Sequence, residues 1–263
     1  HALWNDWWFK KAANPKLSTS DFADCMSPQM ALVNANKCTD RSIDGLPFTY
    51  SRDTAFHFDA TKFGLWLRDY ICIPNGVKHI KEEIVDIERN EDGIVSLNGK
   101  HKADLFIDCT GFRSRLLGDT MKEPFESYNN LLPNDSAWAT RLKYKDKKKE
   151  LVGYTNCTAY NNGWIWNIPL WSRLGTGYVF SSKFVDDETA LKEFKKYLGP
   201  RSNEAEFRKI NMRVGIHRRL WVKNVCAIGL AAGFIEPLES NGLYSVHEFL
   251  YHLCRALKKE TLT

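Results

Sequence analysis

VCAIGLAAGFIEPLESNGLYSVHEFL, Val225–Leu250, is the stretch whose reading decides the fold. Val225–Gly229 has the continuous apolar character of a buried strand, and a tight loop follows it. Val246, Phe249, Leu250, Leu253 and Leu257 then recur at helical spacing, so a long amphipathic helix closes the stretch. Ser240 or Asn241 suits the N-cap of that helix. Its first turn carries backbone N–H groups with no intrahelical acceptor, which attract an anion or a polarised oxygen. Glu236 and Glu239 stand just upstream, and Pro237 stiffens the link between them. Acids, a hydroxyl and open N–H groups gathered on one connection suit chemistry. The same residues also suit an ordinary strand-to-helix connection with caps, and local pattern leaves both readings open.

Working outward, 263 residues allow one large domain or two small ones. A hydrophobic share of 43% and a charged share of 26% are those of an ordinary globular chain with a sizeable core. Nine Trp and 13% aromatics point to a site or interface lined with rings. The net charge of +5 is mild and no helix concentrates it, so nucleic acid is not an expected partner. The densest basic run, Lys143–Lys149, contains Asp146 and reads as a solvated loop or hairpin tip. Seven Cys without a CxxC pair favour reduced, buried thiols in a cytoplasmic protein, and they argue against structural zinc; no metal is expected. No run approaches the ~18 apolar residues of a membrane span, and no signal-peptide pattern stands at the start. The chain starts at His1 in mid-pattern and is expected to be a piece of something longer.

Residues 1–13, with Trp4, Trp7, Trp8 and Phe9, predict a helix whose indoles share one face. Residues 14–56 read as irregular, with Thr19, Ser20 and Asp21 able to cap a short helix over Phe22–Met26. Asp59 suits the N-cap of a helix from Ala60 to Ile73, stopped by Pro74-Asn75-Gly76; Phe63, Trp66, Leu67, Tyr70 and Ile71 make its apolar face. His57, just before it, reads as structural. His79–Glu88 and Ile94–Leu97 predict paired strands, and Asn98-Gly99 a tight turn. Asp104–Cys109 reads as a strand of a buried sheet. It ends in Thr110-Gly111-Phe112-Arg113, where Gly111 lets backbone approach a ligand. Arg113 or Arg115 there meets a phosphate or caps a carboxylate; the pattern does not choose. Residues 124–185 alternate as an antiparallel sheet: 138–144, 151–159, 163–169 and 176–184. In Gly163–Pro169, Trp164 and Trp166 are two apart and face the same side, as an aromatic wall or as a sheet covering a core. Asp186-Asp187-Glu188 starts a helix that Gly199-Pro200 ends, and 207–217 reads as a strand.

DLFIDCTGFRS (Asp104–Ser114), GWIWNIP (Gly163–Pro169), GYVFSS (Gly177–Ser182) and GFIEPLESNG (Gly233–Gly242) together resemble the flavin-dependent tryptophan halogenase family. FHFDATKFGLWLRDY (Phe56–Tyr70) is similar to a further family segment. The motifs keep the family's order at compatible spacing from about Phe56 to Leu253. GWxWxIP is specific to the family, whereas IDCTG occurs widely in flavin monooxygenases. The resemblance implies an α/β (α+β) chain: a flavin monooxygenase-like FAD/NAD(P)-binding fold with an inserted antiparallel sheet. It implies part of an FAD-binding domain with a long cover loop over 1–123. A substrate or cover sheet follows over 124–185, then a return to the FAD-binding core with a C-terminal helix over 186–263.

The resemblance also implies an activity. Reduced FAD, supplied by a separate flavin reductase, reacts with oxygen, and a halide ion becomes hypohalous acid. This passes through an enclosed tunnel to a catalytic Lys, beside a small electron-rich aromatic such as tryptophan or an indole. Glu239 matches the active-site glutamate and Ser240 its neighbouring serine. Asn241 and Gly242 match the halide site, though the family usually has Thr where Asn241 stands, which bears on halide preference. Trp164 and Trp166 match a tunnel wall that keeps substrate from flavin. Gly111, Arg113, Gly229, Gly233, Phe234 and Pro237 are the expected cofactor contacts, with Pro237 and 229–233 against the isoalloxazine. The family's GxGxxG segment and catalytic Lys have no match in the 263 residues, so Lys10, Lys11 and Lys16 are left unassigned. A homodimer is left open. Two other readings remain: an aromatic hydroxylase on the same fold, which a wall between flavin and substrate disfavours, and a non-catalytic partner-binding chain.

Overall fold

The computed structural model describes residues 2–18, 22, 28–37, 39, 41 and 49–258. It divides into two compact units. One takes 1–66, 141–156 and 167–175; the other takes 67–140, 157–166 and 176–263.

In the first unit, helix α1 (Ala2–Ala13) forms as its sequence predicts, with Lys10 and Lys11 in the last turn. Trp7 is buried with its ring edge-on to Phe22 at 5.5 Å, whereas Trp8 and Phe9 are exposed. Of the indoles expected on one face, Trp7 and Trp8 thus differ in burial, and the Trp4 side chain lies outside the described residues. Helices α2 (Pro28–Asn34) and α3 (Tyr50–Asp53) stand in the stretch expected to be irregular. The expected caps Thr19, Ser20 and Asp21, and all of the helix they would start except Phe22, lie outside the described residues. Helix α4 (Ala60–Trp66) is capped by Asp59, whose carboxylate accepts from the N–H groups of Thr61 at 3.1 Å and Lys62 at 3.3 Å. The Arg173 guanidinium bonds the same carboxylate and holds its pKa down at about 2. His57 is structural as read: Nδ1 lies 3.0 Å from the Pro169 carbonyl and Nε2 3.0 Å from Thr155 Oγ1. The basic run forms the one-turn helix α5 (Lys147–Glu150), capped by Asp146.

The second unit begins with a π turn over Leu67–Cys72 and a 3-10 turn over Ile73–Asn75, ended by Gly76 at φ 89°. The α-helix expected to run to Ile73 thus stops at Trp66. The wider π spacing moves later apolar residues off an α-helical stripe. Phe63, Trp66, Tyr70 and Ile71 are exposed rather than buried. Strands β1 (Ile87–Asn90) and β2 (Gly93–Leu97) form the predicted antiparallel hairpin. The strand expected from His79 is shorter, because Asn98 Oδ1 takes the N–H groups of Val85 (2.9 Å) and Asp86 (3.1 Å). Asn98 and Gly99 both have positive φ, as a tight turn of this type requires.

Strand β3 (Phe106–Asp108) pairs in parallel with β12 (Val225–Ala227), and β12 pairs antiparallel with β11 (Trp221–Val222). Both buried strands are shorter than the apolar runs suggest. Val225 and Ala227 pack with Phe106, Leu116 and Leu117. Cys226 and Ile228 pack with Leu253 of α7 (Gly242–Lys258). So β12 is covered on both faces, while Ile107 of β3 stays 38% exposed. On α7, Leu253 is buried and Val246 and Phe249 are half-buried, but Leu250 and Leu257 are exposed, so the covered stripe is narrower than predicted.

A second three-stranded sheet has the order β13 (Gly233–Phe234), β10 (Gly215–His217), β4 (Phe125–Ser127). The five-stranded sheet runs β6 (Asn156–Tyr160), β7 (Gly163–Pro169), β8 (Leu174–Phe180), β5 (Ser136–Leu142), β9 (Arg208–Asn211). The strand expected over 207–217 is thus two strands in two sheets, turned at Gly215 with φ 143°. Helix α6 (Asp187–Leu198), capped by Asp186, buries Ala190 and Phe194 against Ile165, Tyr178 and Phe180. Of the described cysteines, Cys226 is buried as expected and Cys72 half-buried, but Cys109, Cys157 and Cys254 are exposed. Among the described residues no helix is long and apolar enough to cross a membrane.

His217 ties the second unit together at a buried point. Nδ1 donates to the Glu123 carbonyl at 3.0 Å, and Nε2 accepts from Arg213 at 3.1 Å. Burial, then the Arg213 charge, push the imidazole pKa below its ordinary value of 6.5. The unfolded chain therefore binds this proton more readily, and stability falls as pH drops below about 6.5. The Arg219 guanidinium holds the buried Glu123 carboxyl below its ordinary 4.5, so that contribution is present above 4.5 and lost beneath it. Urea denaturation at pH 7.5 and 5.5 is expected to show lower stability at 5.5, by up to about 1.4 kcal/mol per pH unit for the one proton. A denaturation midpoint that rises or stays level between these values would contradict a neutral, buried His217.

Candidate active site

The site grows from the ends of two parallel strands. The Asp108 carbonyl accepts the Ile228 N–H at 3.0 Å, so β3 and β12 finish side by side. In open α/β sheets the carboxyl ends of such strands are where ligands bind. Asp108 is fully buried, and its carboxylate is saturated. It accepts Thr110 N at 3.0 Å, Thr110 Oγ1 at 2.6 Å, Leu116 N at 2.8 Å and Leu117 N at 2.9 Å. That set fixes the path of the chain after β3. Two 3-10 turns follow the two strands, Gly111–Arg113 and Gly229–Ala231. Each opens on a glycine with positive φ, 72° at Gly111 and 66° at Gly229. A Cβ built at Gly111 would meet nothing within 4 Å, so bare backbone faces open space there. A flat cofactor fits such a surface, since backbone N–H and C=O groups can reach it without an intervening side chain.

Phe112 and Phe234 meet edge to face at 5.3 Å. Both pack on the cluster of Ala137, Val179, Met212 and Val214, and so do Trp164 and Trp166. The two indoles share one side of β7, 6.1 Å apart and tilted at 59°. Ile165 between them faces the opposite way and is fully buried. Gly177 of β8 makes room for the second indole: a Cβ there would fall 2.1 Å from Trp166 Cη2. A cavity of about 640 Å³ opens beside Phe112; on its lining Lys209 pairs with Asp187 and Asp135 with Ser182, while the buried Arg213 Nε has no hydrogen-bond partner.

The acidic turn lies against the first indole. Glu236 Oε1 accepts Trp164 Nε1 at 2.7 Å, and Oε2 accepts the Leu238 N–H at 2.7 Å. The second bond starts the 3-10 turn Pro237–Glu239. Ser240 then takes a left-handed conformation, φ 52° and ψ 31°, with its N–H on the Pro237 carbonyl at 2.9 Å. Helix α7 begins at Gly242, and the Asn241 carbonyl accepts the Ser245 N–H at 2.9 Å. Of the two N-cap candidates, Asn241 therefore occupies the position.

The structure thus places Gly111, Gly229, Phe234, Trp164, Trp166 and Pro237 on elements that converge beside β3 and β12. Ser240, Asn241 and Gly242 follow on the same turn; the Glu239 side chain lies outside the described residues. Arg113 is exposed, with Nε 3.5 Å from Asp119 Oδ2, and Arg115 donates to the Val85 carbonyl at 3.1 Å. Gly233 is held in strand pairing, since a Cβ there would fall 2.6 Å from the Gly215 carbonyl oxygen. Sequence reasoning gave Glu236 no role beyond proximity and gave Asp108 none. A carboxylate at the end of an apolar strand, two residues before Thr110, was the signal available for Asp108.

The family profile described as tryptophan halogenase matches residues 2–263. Tryptophan 7-halogenase RebH of Lentzea aerocolonigenes is 35% identical over 264 residues, which cover 97% of this chain and 48% of that protein. 7-chloro-L-tryptophan 6-halogenase KtzR of Kutzneria sp. (strain 744) is 37% identical over 206 residues, 76% of this chain and 40% of that one. Among solved structures, Tar14, described as a tryptophan C-6 flavin-dependent halogenase (chlorinase) from taromycin biosynthesis, has a TM-score of 0.74 at 38% identity. The match covers 84% of this chain and 46% of that one. The VirX1 apo structure has a TM-score of 0.81 at 42% identity, over 86% and 45%. The chain spans less than half the length of these relatives.

Replacing Asp108 tests the local geometry. Asp108→Asn keeps the size but turns an acceptor into a donor facing the Leu116 and Leu117 N–H groups. It is expected to lower unfolding stability by about 2–3 kcal/mol, read by urea denaturation. Gly177→Ala is expected to displace the Trp166 ring, read as a changed near-ultraviolet circular dichroism spectrum.

Proposed function

The chain belongs to the tryptophan halogenase family, and we propose that it forms part of an FADH2- and oxygen-dependent halogenase acting on an electron-rich aromatic, tryptophan or indole-like. The observation that carries this reading is the indole pair of β7, joined to the acidic turn through the Trp164–Glu236 bond. Reduced FAD, when bound and with oxygen present, supplies the oxidation of halide to hypohalous acid. The turns at Gly111, where the backbone is bare, and at Gly229, with Gly233, Phe234, Pro237 and Arg113, would hold that cofactor. The backbone N–H groups of Asn241 and Gly242 hold the halide, as the start of a helix favours an anion. Trp164 and Trp166 keep the aromatic substrate from the flavin side, so the oxidant must travel. The Glu239 carboxylate stabilises positive charge developing on the substrate ring and takes its proton, with Ser240 beside it.

A separate flavin reductase supplies the reduced cofactor on this reading. The protein is cytoplasmic and works without metal, nucleic acid or membrane. Residues 1–123 and 186–263 contribute to FAD binding, and 124–185 cover the flavin. The same indole wall disfavours direct transfer of oxygen to the substrate, which a hydroxylase requires.

The test uses the full-length polypeptide with FAD, an NADH-driven flavin reductase, tryptophan, and chloride or bromide. A halogenated product that forms only with halide is expected by mass spectrometry. Glu239→Gln is expected to lower its rate by about 100-fold or more. Hydroxylated product formed without halide would overturn the reading in favour of the hydroxylase. A folded protein that binds no FAD would leave a non-catalytic chain.

A further inference from the structure

The two oxygens of Glu236 serve the two halves of the site. Oε1 accepts the Trp164 indole N–H at 2.7 Å and, at 3.5 Å, an N–H of Asn134. Oε2 accepts the Leu238 N–H at 2.7 Å. An indole has a single donor and no acceptor, so one hydrogen bond sets how the Trp164 ring is turned within its pocket. The Leu238 bond starts the turn that ends in the left-handed Ser240 and leads into α7. A serine in that conformation persists only where the surroundings hold it. An ionised carboxylate can serve both donors strongly, whereas an amide offers one acceptor and must present a donor to the other partner.

We propose that Glu236 is a positioning residue: it locks the indole wall on β7 to the turn carrying Glu239, Ser240 and Asn241, and so sets the distance between the wall and the chemistry. It acts through Trp164 and through the turn. Its catalytic consequence rests on the halogenase reading; the lock itself does not. If the lock is broken, the ring turns away from the turn and the path between halide site and substrate loses its shape. Oxidant then escapes before reaching the aromatic.

Two measurements test this. The first needs no turnover. In a ¹⁵N-labelled protein the Trp164 indole N–H peak is identified by its loss in Trp164→Phe. Glu236→Ala and Glu236→Gln are expected to shift that peak and to speed its exchange with solvent at least tenfold, with the other indole peaks in place. Unchanged exchange in Glu236→Ala overturns the lock. The second uses the full-length polypeptide with FAD, flavin reductase, tryptophan and bromide. Glu236→Gln is expected to lower kcat for brominated product about tenfold, with KM for tryptophan within twofold and more hypobromous acid captured by a scavenger in bulk solution per reduced flavin consumed. Trp164→Phe is expected to do the same, and the double variant to fall clearly short of the sum of the two losses, because the Trp164–Glu236 bond is common to both. Additive losses, or a loss in Glu236→Gln that Trp164→Phe does not share, overturn the proposal. A wild-type protein that makes no halide-dependent product overturns the halogenase reading, and the exchange measurement then decides the lock alone.

Discussion

A buried carboxylate with four donors is the constraint on which the site's geometry depends. Asp108 sits at the end of a three-residue strand, where the chain must leave the sheet without leaving N–H groups unpaired. Its bonds to Thr110, Leu116 and Leu117 close that exit, and its carbonyl joins the neighbouring strand at Ile228. The turn at Gly111 follows from this, because a chain held at Thr110 and again at Leu116 must double back between them. The positive φ at Gly111 allows the reversal and leaves the backbone bare. The matching turn at Gly229 sits after β12, so two glycine-led turns present themselves at one edge. The open backbone at Gly111 is thus a consequence of how a short strand of the parallel pair ends.

The second consequence is aromatic. Phe112 lies within the first of these turns and Phe234 in the strand just after the second, and they pack in the same cluster as the two indoles of β7. The sheet supplies the indoles at a spacing of two residues, so both must lie on one face. Gly177 removes the side chain that would collide with the second of them. The acidic turn then meets the first indole through Glu236, and the helix that follows offers its N-terminus. Glycine-led turns, paired indoles, the acidic turn and the helix start thus all lie within one unit of the chain.

Much of this was legible in the sequence where a local rule decides the outcome. Asp59 before α4, Asp186 before α6, the Asn98-Gly99 turn and the indole alternation in Gly163–Pro169 all depend on near neighbours. The misreadings fall where distant residues decide. The strand expected from His79 is cut short because Asn98, more than ten positions later, takes its N–H groups. The run over 207–217 is split because Gly215 pairs with both Phe234 and Ser127. The helix from Ala60 changes to π spacing at Leu67, a shift that apolar periodicity does not encode. The site divides in the same way. The motif words marked the glycines, the indoles and the helix start, but the Trp164–Glu236 bond spans 72 positions and left no local trace.

The central claim is that the indole wall and the acidic turn border one chamber with an anion site at the start of α7. It is tested most directly by crystals of the full-length polypeptide grown in bromide, with anomalous scattering used to locate the ion. The account predicts a bromide within hydrogen-bonding reach of the Asn241 and Gly242 backbone N–H groups, on the side of the turn that faces Trp164. Bromide found elsewhere with that helix start empty, or Trp164 turned away from Glu236, would contradict it.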